Sequence, residues 1–68
     1  MIDEPITGSS IIKRIQHDGK DAIVTFKNGS RYKYLNVPDR TMQEWLASWS
    51  IGVFFSSQIK KNYTAEQL

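Results

Sequence analysis

One histidine is present in the 68 residues, and it is the single place where a proton acceptor or metal ligand meets carboxylates: His17 adjoins Asp18, with Asp21 close behind. An imidazole between carboxylates can move a proton or hold a cation. However, Asp18-Gly19 reads as a turn, and aspartate is common in turns because its side chain bonds nearby backbone amides. His17 is therefore expected at the surface or at a strand edge. No serine or carboxylate falls at a spacing that predicts a triad or a paired acid and base. The chain also lacks a phosphate-binding loop, a glycine-rich dinucleotide turn and a His-Glu-x-x-His motif. The reading is a non-enzyme with no catalytic residue, no metal site, no cofactor and no small-molecule substrate.

A second chemistry lies in Arg31-Tyr32-Lys33-Tyr34. Bases stack on tyrosine faces while adjacent cations neutralise phosphate, so interleaved aromatic and basic residues suit single-stranded nucleic acid. Each stacked base contributes about 1–3 kcal/mol. Lys27, Arg31, Lys33, Lys60 and Lys61 are the candidate phosphate contacts, and Tyr32 and Tyr34 the candidate stacking platforms. The competing account is structural. Alternation sends the tyrosines to one sheet face and Arg31 and Lys33 to the other, where cations serve solubility and edge protection.

The third candidate is apolar. Trp45, Trp49, Ile51, Val53, Phe54 and Phe55 exceed what one helical stripe and one short helix can hide behind three small strands. An exposed apolar patch marks an interface, and Trp49, Ile51, Val53 and Phe54 are the residues expected there. The alternative places them in the core.

The elements that must position these residues centre on 22–37, two strands folded about Asn28-Gly29, a strong hairpin signal. Facing residues share a face, so a two-residue loop would oppose Phe26 to Arg31. A type I turn over Lys27-Asn28 with Gly29 as a left-handed bulge instead opposes Phe26 to Ser30, Thr25 to Arg31, Val24 to Tyr32 and Ala22 to Tyr34. That register collects the apolar set on one face and predicts positive φ at Gly29. Ser9 to His17 form a preceding strand, bent where Ile11-Ile12 breaks alternation.

After Val37 the pattern becomes helical. Pro38-Asp39 opens a helix, and Met42, Trp45, Leu46 and Trp49 follow at i, i+3, i+4 and i+7, a core-facing stripe. Ser50 caps a second short helix from about Ile51 to Lys60. The expected architecture is α+β: a three-stranded antiparallel meander with two C-terminal helices on one face. Residues 1–8 form a flexible arm, 9–63 the domain and 64–68 a frayed tail.

Composition sets bounds. This length makes one domain at most, with a core near the lower limit for independent folding. There is no cysteine, hence no disulfide or thiolate metal site, and net charge is a mild +2. No apolar run approaches the roughly 20 residues of a membrane span, and Asp3 and Glu4 stand where a signal peptide would be basic. A soluble, cytoplasmic monomer is expected.

A set of these residues resembles a known module. They are Ser9-Ser10, Phe26-Lys27-Asn28-Gly29, the central Tyr32-Lys33-Tyr34, Val37-Pro38, Leu46-Ala47, Ser50, Gly52, Phe54-Phe55, Ile59-Lys60 and Tyr63. Over about 9–63 the chain resembles the KTSC domain, named after the C-terminal extension of some lysyl-tRNA synthetases and found as free-standing bacterial and phage proteins. RNA binding has been suggested for that family, so the resemblance implies an RNA-associated accessory module. The chain departs from it at Ile51, Val53, Ser56 and Ser57, where members tend to be basic and polar, and Trp45 and Trp49 add bulk. Those departures favour the alternative, a protein-interaction module, phage-encoded, docking on host transcription or translation machinery such as RNA polymerase. Lys33→Glu and Val53→Asp are the substitutions expected to separate the two.

Overall fold

The computed structural model describes residues 1–68. The hairpin forms as its parity requires. β3 (Ala22–Phe26) and β4 (Arg31–Tyr34) pair with Ala22 opposite Tyr34, Val24 opposite Tyr32 and Thr25 opposite Arg31. Phe26 N–H donates to the Ser30 carbonyl at 2.8 Å, and Gly29 N–H to the Phe26 carbonyl at 3.0 Å. Gly29 takes φ +94°, the left-handed conformation that a side chain would strain. β2 (Ile12–His17) pairs with β3, and its register shifts between Ile12 and Arg14, the bend expected from Ile11-Ile12. Such a bulge re-aims the chain so that Ile12 and Ile15 both face inward.

The meander has five strands, not three. Residues assigned to a loose arm supply β1 (Ile2–Pro5), paired with β2, and residues assigned to a frayed tail supply β5 (Ala65–Gln67), paired with β4. All neighbours are antiparallel and follow chain order β1-β2-β3-β4-β5. The added strands are short, polar and mostly exposed. β5 is held by main-chain bonds rather than by an apolar face, and β1 adds only Ile2, half-buried against the core, which is why hydrophobic periodicity does not announce them.

Helix α1 (Asp39–Ala47) and the second helix, residues 51–62, lie between β4 and β5 in the chain and cover one sheet face. Pro38 is the cap residue of α1, with Asp39 in its first turn at the positive dipole end. The second helix consists of α2 (Ile51–Phe54), a π-helical turn (Phe55–Ile59) and α3 (Lys60–Asn62). Ser50 Oγ caps it by accepting from Val53 N–H at 3.3 Å. In the π turn Lys60 N–H reaches back five residues to the Phe55 carbonyl.

Met42, Trp45, Phe55 and Ile59 meet Ile12, Ile15, Ala22, Val24 and Tyr34 in one buried core closed by Val37. Trp45 is fully buried, with its indole N–H donating to the Ile51 carbonyl at 3.1 Å. Its ring stacks at 6.0 Å on Phe55 and 6.4 Å on Phe54.

Trp49 leaves the stripe it was assigned to. α1 stops at Ala47, where extended Ser48 turns the chain and its hydroxyl takes up the Trp45 carbonyl at 2.6 Å, and Trp49 is left 91% exposed. His17 also differs from expectation. It is buried, with Nε2 at 2.7 Å from the Val37 carbonyl and Nδ1 accepting from Gly19 N–H at 3.3 Å. The turn that follows it moves the chain over the imidazole instead of leaving it at the rim.

Candidate nucleic-acid interface

The seven residues assigned to nucleic acid divide between two surfaces. Strand alternation places Arg31 and Lys33 on the sheet face away from the helices, opposite Thr25 and Ile23. There two cations have acidic partners. Lys33 Nζ lies 3.6 Å from Asp21 Oδ2 and pairs across the strands with Glu66, while Arg14 donates to Asp3 at 3.0 Å. A polyanion approaching this face would meet carboxylates among its cations, so Arg31 and Lys33 do not join the tyrosines in one site.

The other five converge on the helix side. A cleft of about 610 Å³ opens between the β3–β4 turn, the segment preceding β2 and the π-helical turn. Lys27, Tyr32, Tyr34 and Lys60 line it, with Ser10 and Ser56 beside them. Its apolar lining is an aromatic cluster. Phe26 meets Tyr32 edge-to-face at 5.7 Å and Phe55 at 5.5 Å, and Phe55 meets Tyr34 at 5.6 Å. Such contacts contribute about 0.5–1.5 kcal/mol each beyond burial and hold the ring positions fixed.

Lys61 lines an adjoining groove of about 660 Å³ together with Gly8, Ser50, Ser57 and Val53. Ser10, Ile11 and Ser56 belong to both depressions and form the ridge between them. Neither is lined by a carboxylate, and Lys27, Lys60 and Lys61 make no ion pair within the protein. Uncompensated cations along a concave surface focus positive potential there.

The two tyrosines differ. Tyr32 is half-buried, whereas Tyr34 is only 5% exposed and belongs to the core cluster. Burial raises the pKa of the Tyr34 hydroxyl above its ordinary value, and neighbouring Tyr32 adds to the shift. Tyr34 is thus a core residue that also lines the cleft, and Tyr32 is the more available face. Sequence reasoning missed Ser10, Ser56 and the aromatic wall of Phe26 and Phe55, since only the packing of helix on hairpin brings Phe55 and Ser56 beside Phe26 and Lys27.

The apolar candidates divide as well. Trp49 and Val53 are exposed, Val53 by 54%, whereas Ile51 and Phe54 are half-buried and pack against the core. No group of three or more His, Asp or Glu side chains is arranged as a metal-ligand cluster, and no helix is long and apolar enough to cross a membrane.

Comparison with known proteins places this geometry among relatives. The KTSC domain model matches residues 8–63. A crystal structure of a KTSC domain protein from Yersinia pestis superposes with a TM-score of 0.84 at 30% sequence identity, covering 98% of this chain and 96% of that one. No curated protein matches the chain.

Proposed function

The chain belongs to the KTSC domain family, and from that premise we propose that it is a non-catalytic binding module that takes single-stranded RNA in the cleft between the β3–β4 turn and the second helix. The observation that carries this reading is the convergence of Lys27, Tyr32, Tyr34 and Lys60 on one concave surface with no carboxylate in its lining. Lysines at the rim neutralise backbone phosphates, the half-buried Tyr32 ring offers a stacking surface, and Lys61 in the adjoining groove extends the cationic track. Arg31 and Lys33 lie on the opposite face, where Lys33 has Asp21 at 3.6 Å and Glu66 as its cross-strand neighbour. In this reading the module is an RNA-associated accessory domain that acts as a cytoplasmic monomer.

The test is a titration of isotope-labelled protein with mixed-sequence single-stranded RNA at low and moderate salt. Amide shifts at Lys27, Ser56, Lys60 and Lys61 that fade as salt rises are the expected result, because phosphate contact releases counterions. A spectrum that stays unchanged at low salt would sink the RNA reading.

One observation favours a second reading, a protein-docking module for transcription or translation machinery. Trp49 is 91% exposed with Val53 nearby in the chain, and exposed tryptophan is enriched at interface hot spots. Under that reading Trp49→Ala and Val53→Asp abolish partner capture while Lys60→Glu leaves it intact.

A further inference from the structure

Buried polar side chains in this protein nearly all have protein partners. Ser9 Oγ accepts from Ile11 and Ile12 N–H, Asp21 Oδ1 accepts from Asn36 N–H, and His17 contacts Val37 and Gly19. Tyr34 is the exception. It is 5% exposed, yet its hydroxyl makes no hydrogen bond to the protein. No fully buried side-chain oxygen or nitrogen lacks a partner, so the unpartnered hydroxyl keeps some solvent contact, and Tyr34 is one of the residues lining the cleft. A donor without a protein partner thus belongs to the same lining as the ammonium groups of Lys27 and Lys60.

The proposal rests on the reading of this cleft as the RNA site. We propose that the floor of the cleft is a phosphomonoester subsite, in which the Tyr34 hydroxyl donates to a terminal phosphate whose charge is met by Lys27 and Lys60. The remaining polar side chains lining the cleft are the hydroxyls of Ser10, Ser56 and Tyr32 and the Asn28 amide, all able to donate, and no carboxylate stands among them. A terminal phosphate carries about −1.5 to −2 charges and three acceptor oxygens, more than an internal diester offers the same lysines.

Shape also favours a chain end. Tyr34, Phe55 and Phe26 pack edge-to-face at 5.6 and 5.5 Å and close the floor. A terminal phosphate is tethered to one sugar and an internal one to two, so a strand end is the less encumbered group at such a wall. The strand then leaves across the Ser10–Ile11–Ser56 ridge into the groove that Lys61 lines. Burial keeps the Tyr34 hydroxyl protonated, and so a donor, throughout the neutral range.

The experiment compares one oligoribonucleotide in 5′-phosphorylated, 3′-phosphorylated and unphosphorylated forms, with inorganic phosphate as a separate probe, on the native protein and on Tyr34→Phe. The expected result is a preference of about tenfold or more for one phosphorylated end, the scale of a hydrogen bond to a charged group. Tyr34→Phe should cut that preference severalfold, leaving the share due to Lys27 and Lys60, without lowering the melting temperature, since the hydroxyl has no protein partner to lose. Equal binding of all three forms, or a preference undiminished in Tyr34→Phe, overturns the subsite and leaves the RNA reading standing. If no oligonucleotide binds but inorganic phosphate shifts the Tyr34 resonances, the subsite stands for small phosphomonoesters and the RNA reading falls. Silence with every probe overturns both.

Discussion

His17 Nε2 lies 2.7 Å from the Val37 carbonyl, inside the protein and twenty residues away in the chain. The Val37 carbonyl can only accept, so Nε2 donates to it, while Nδ1 lies 3.3 Å from Gly19 N and 3.4 Å from an Asp39 carboxylate oxygen. The bond ties the end of β2 to the residue before the α1 cap, so it orients the helix whose Met42 and Trp45 enter the core. His17→Phe keeps the ring but leaves the Val37 carbonyl without its partner. A loss of about 1–3 kcal/mol is expected, read as a lower urea midpoint, and an unchanged midpoint would show that the contact is dispensable.

The two tryptophans separate stability from surface. Trp45 is fully buried and Trp49 is 91% exposed. Trp45→Ala should cost about 3–5 kcal/mol, enough to unfold a domain of this size or bring it close to unfolding. Trp49→Ala should stay within about 0.5 kcal/mol of the parent. Thermal melts of both variants check this, and a large loss at Trp49 would place its ring in contact with the core.

Charge reversal locates the cationic surface. Lys27→Glu and Lys60→Glu should each weaken binding of single-stranded RNA and flatten its salt dependence by about 0.7 in the log–log slope, the share of one phosphate contact. Lys33→Glu should leave affinity little changed, because Lys33 lies on the other face beside Asp21. Anisotropy titrations over a range of salt decide between them. An effect confined to Lys33 would return the site to the open sheet face.

Asp18 gives the acid response a sign. Its Oδ1 accepts from Asp21 N–H at 2.7 Å and from Lys20 N–H at 2.9 Å, and these bonds, the Asp21 one first, lower the carboxyl pKa below its ordinary value. A group with a depressed folded pKa contributes stability that is present above the unfolded value of about 3.9 and is lost as pH falls through the folded one. Asp18→Asn retains an acceptor for the turn but cannot titrate. Its melting temperature should therefore fall less than the parent's between neutral pH and the acid range. Parallel pH dependences would remove Asp18 from the acid response.

Deletion of residues 64–68 should expose the edge of β4. Leu35 N–H donates to the Thr64 carbonyl at 2.9 Å, whereas Val37 N–H donates to Lys20 at 2.7 Å. Hydrogen exchange in the shortened chain should accelerate at Leu35 and hold at Val37. Protection retained at Leu35 would mean that β5 contributes nothing to that edge.

Local pattern alone settled the centre of this protein. Parity about Asn28-Gly29 chooses the hairpin register, since any one-residue slip would turn Val24, Phe26, Tyr32 and Tyr34 out of the core, and the structure has that register. Pro38-Asp39 starts α1, and the spacing of Met42 and Trp45 marks its buried side, because helical period is a property of neighbours in the chain. Tertiary structure decided the rest. β1 and β5 form through backbone bonds to β2 and β4, and main-chain pairing leaves little imprint on polar side chains. Trp49 fits the α1 period but escapes it because Ser48 ends the helix first. Lys27 and Lys60 come from segments far apart in sequence and share a cleft only once the π-helical turn lies against the hairpin. Periodicity says which way a side chain faces, but which distant side chain it then meets depends on how whole elements pack.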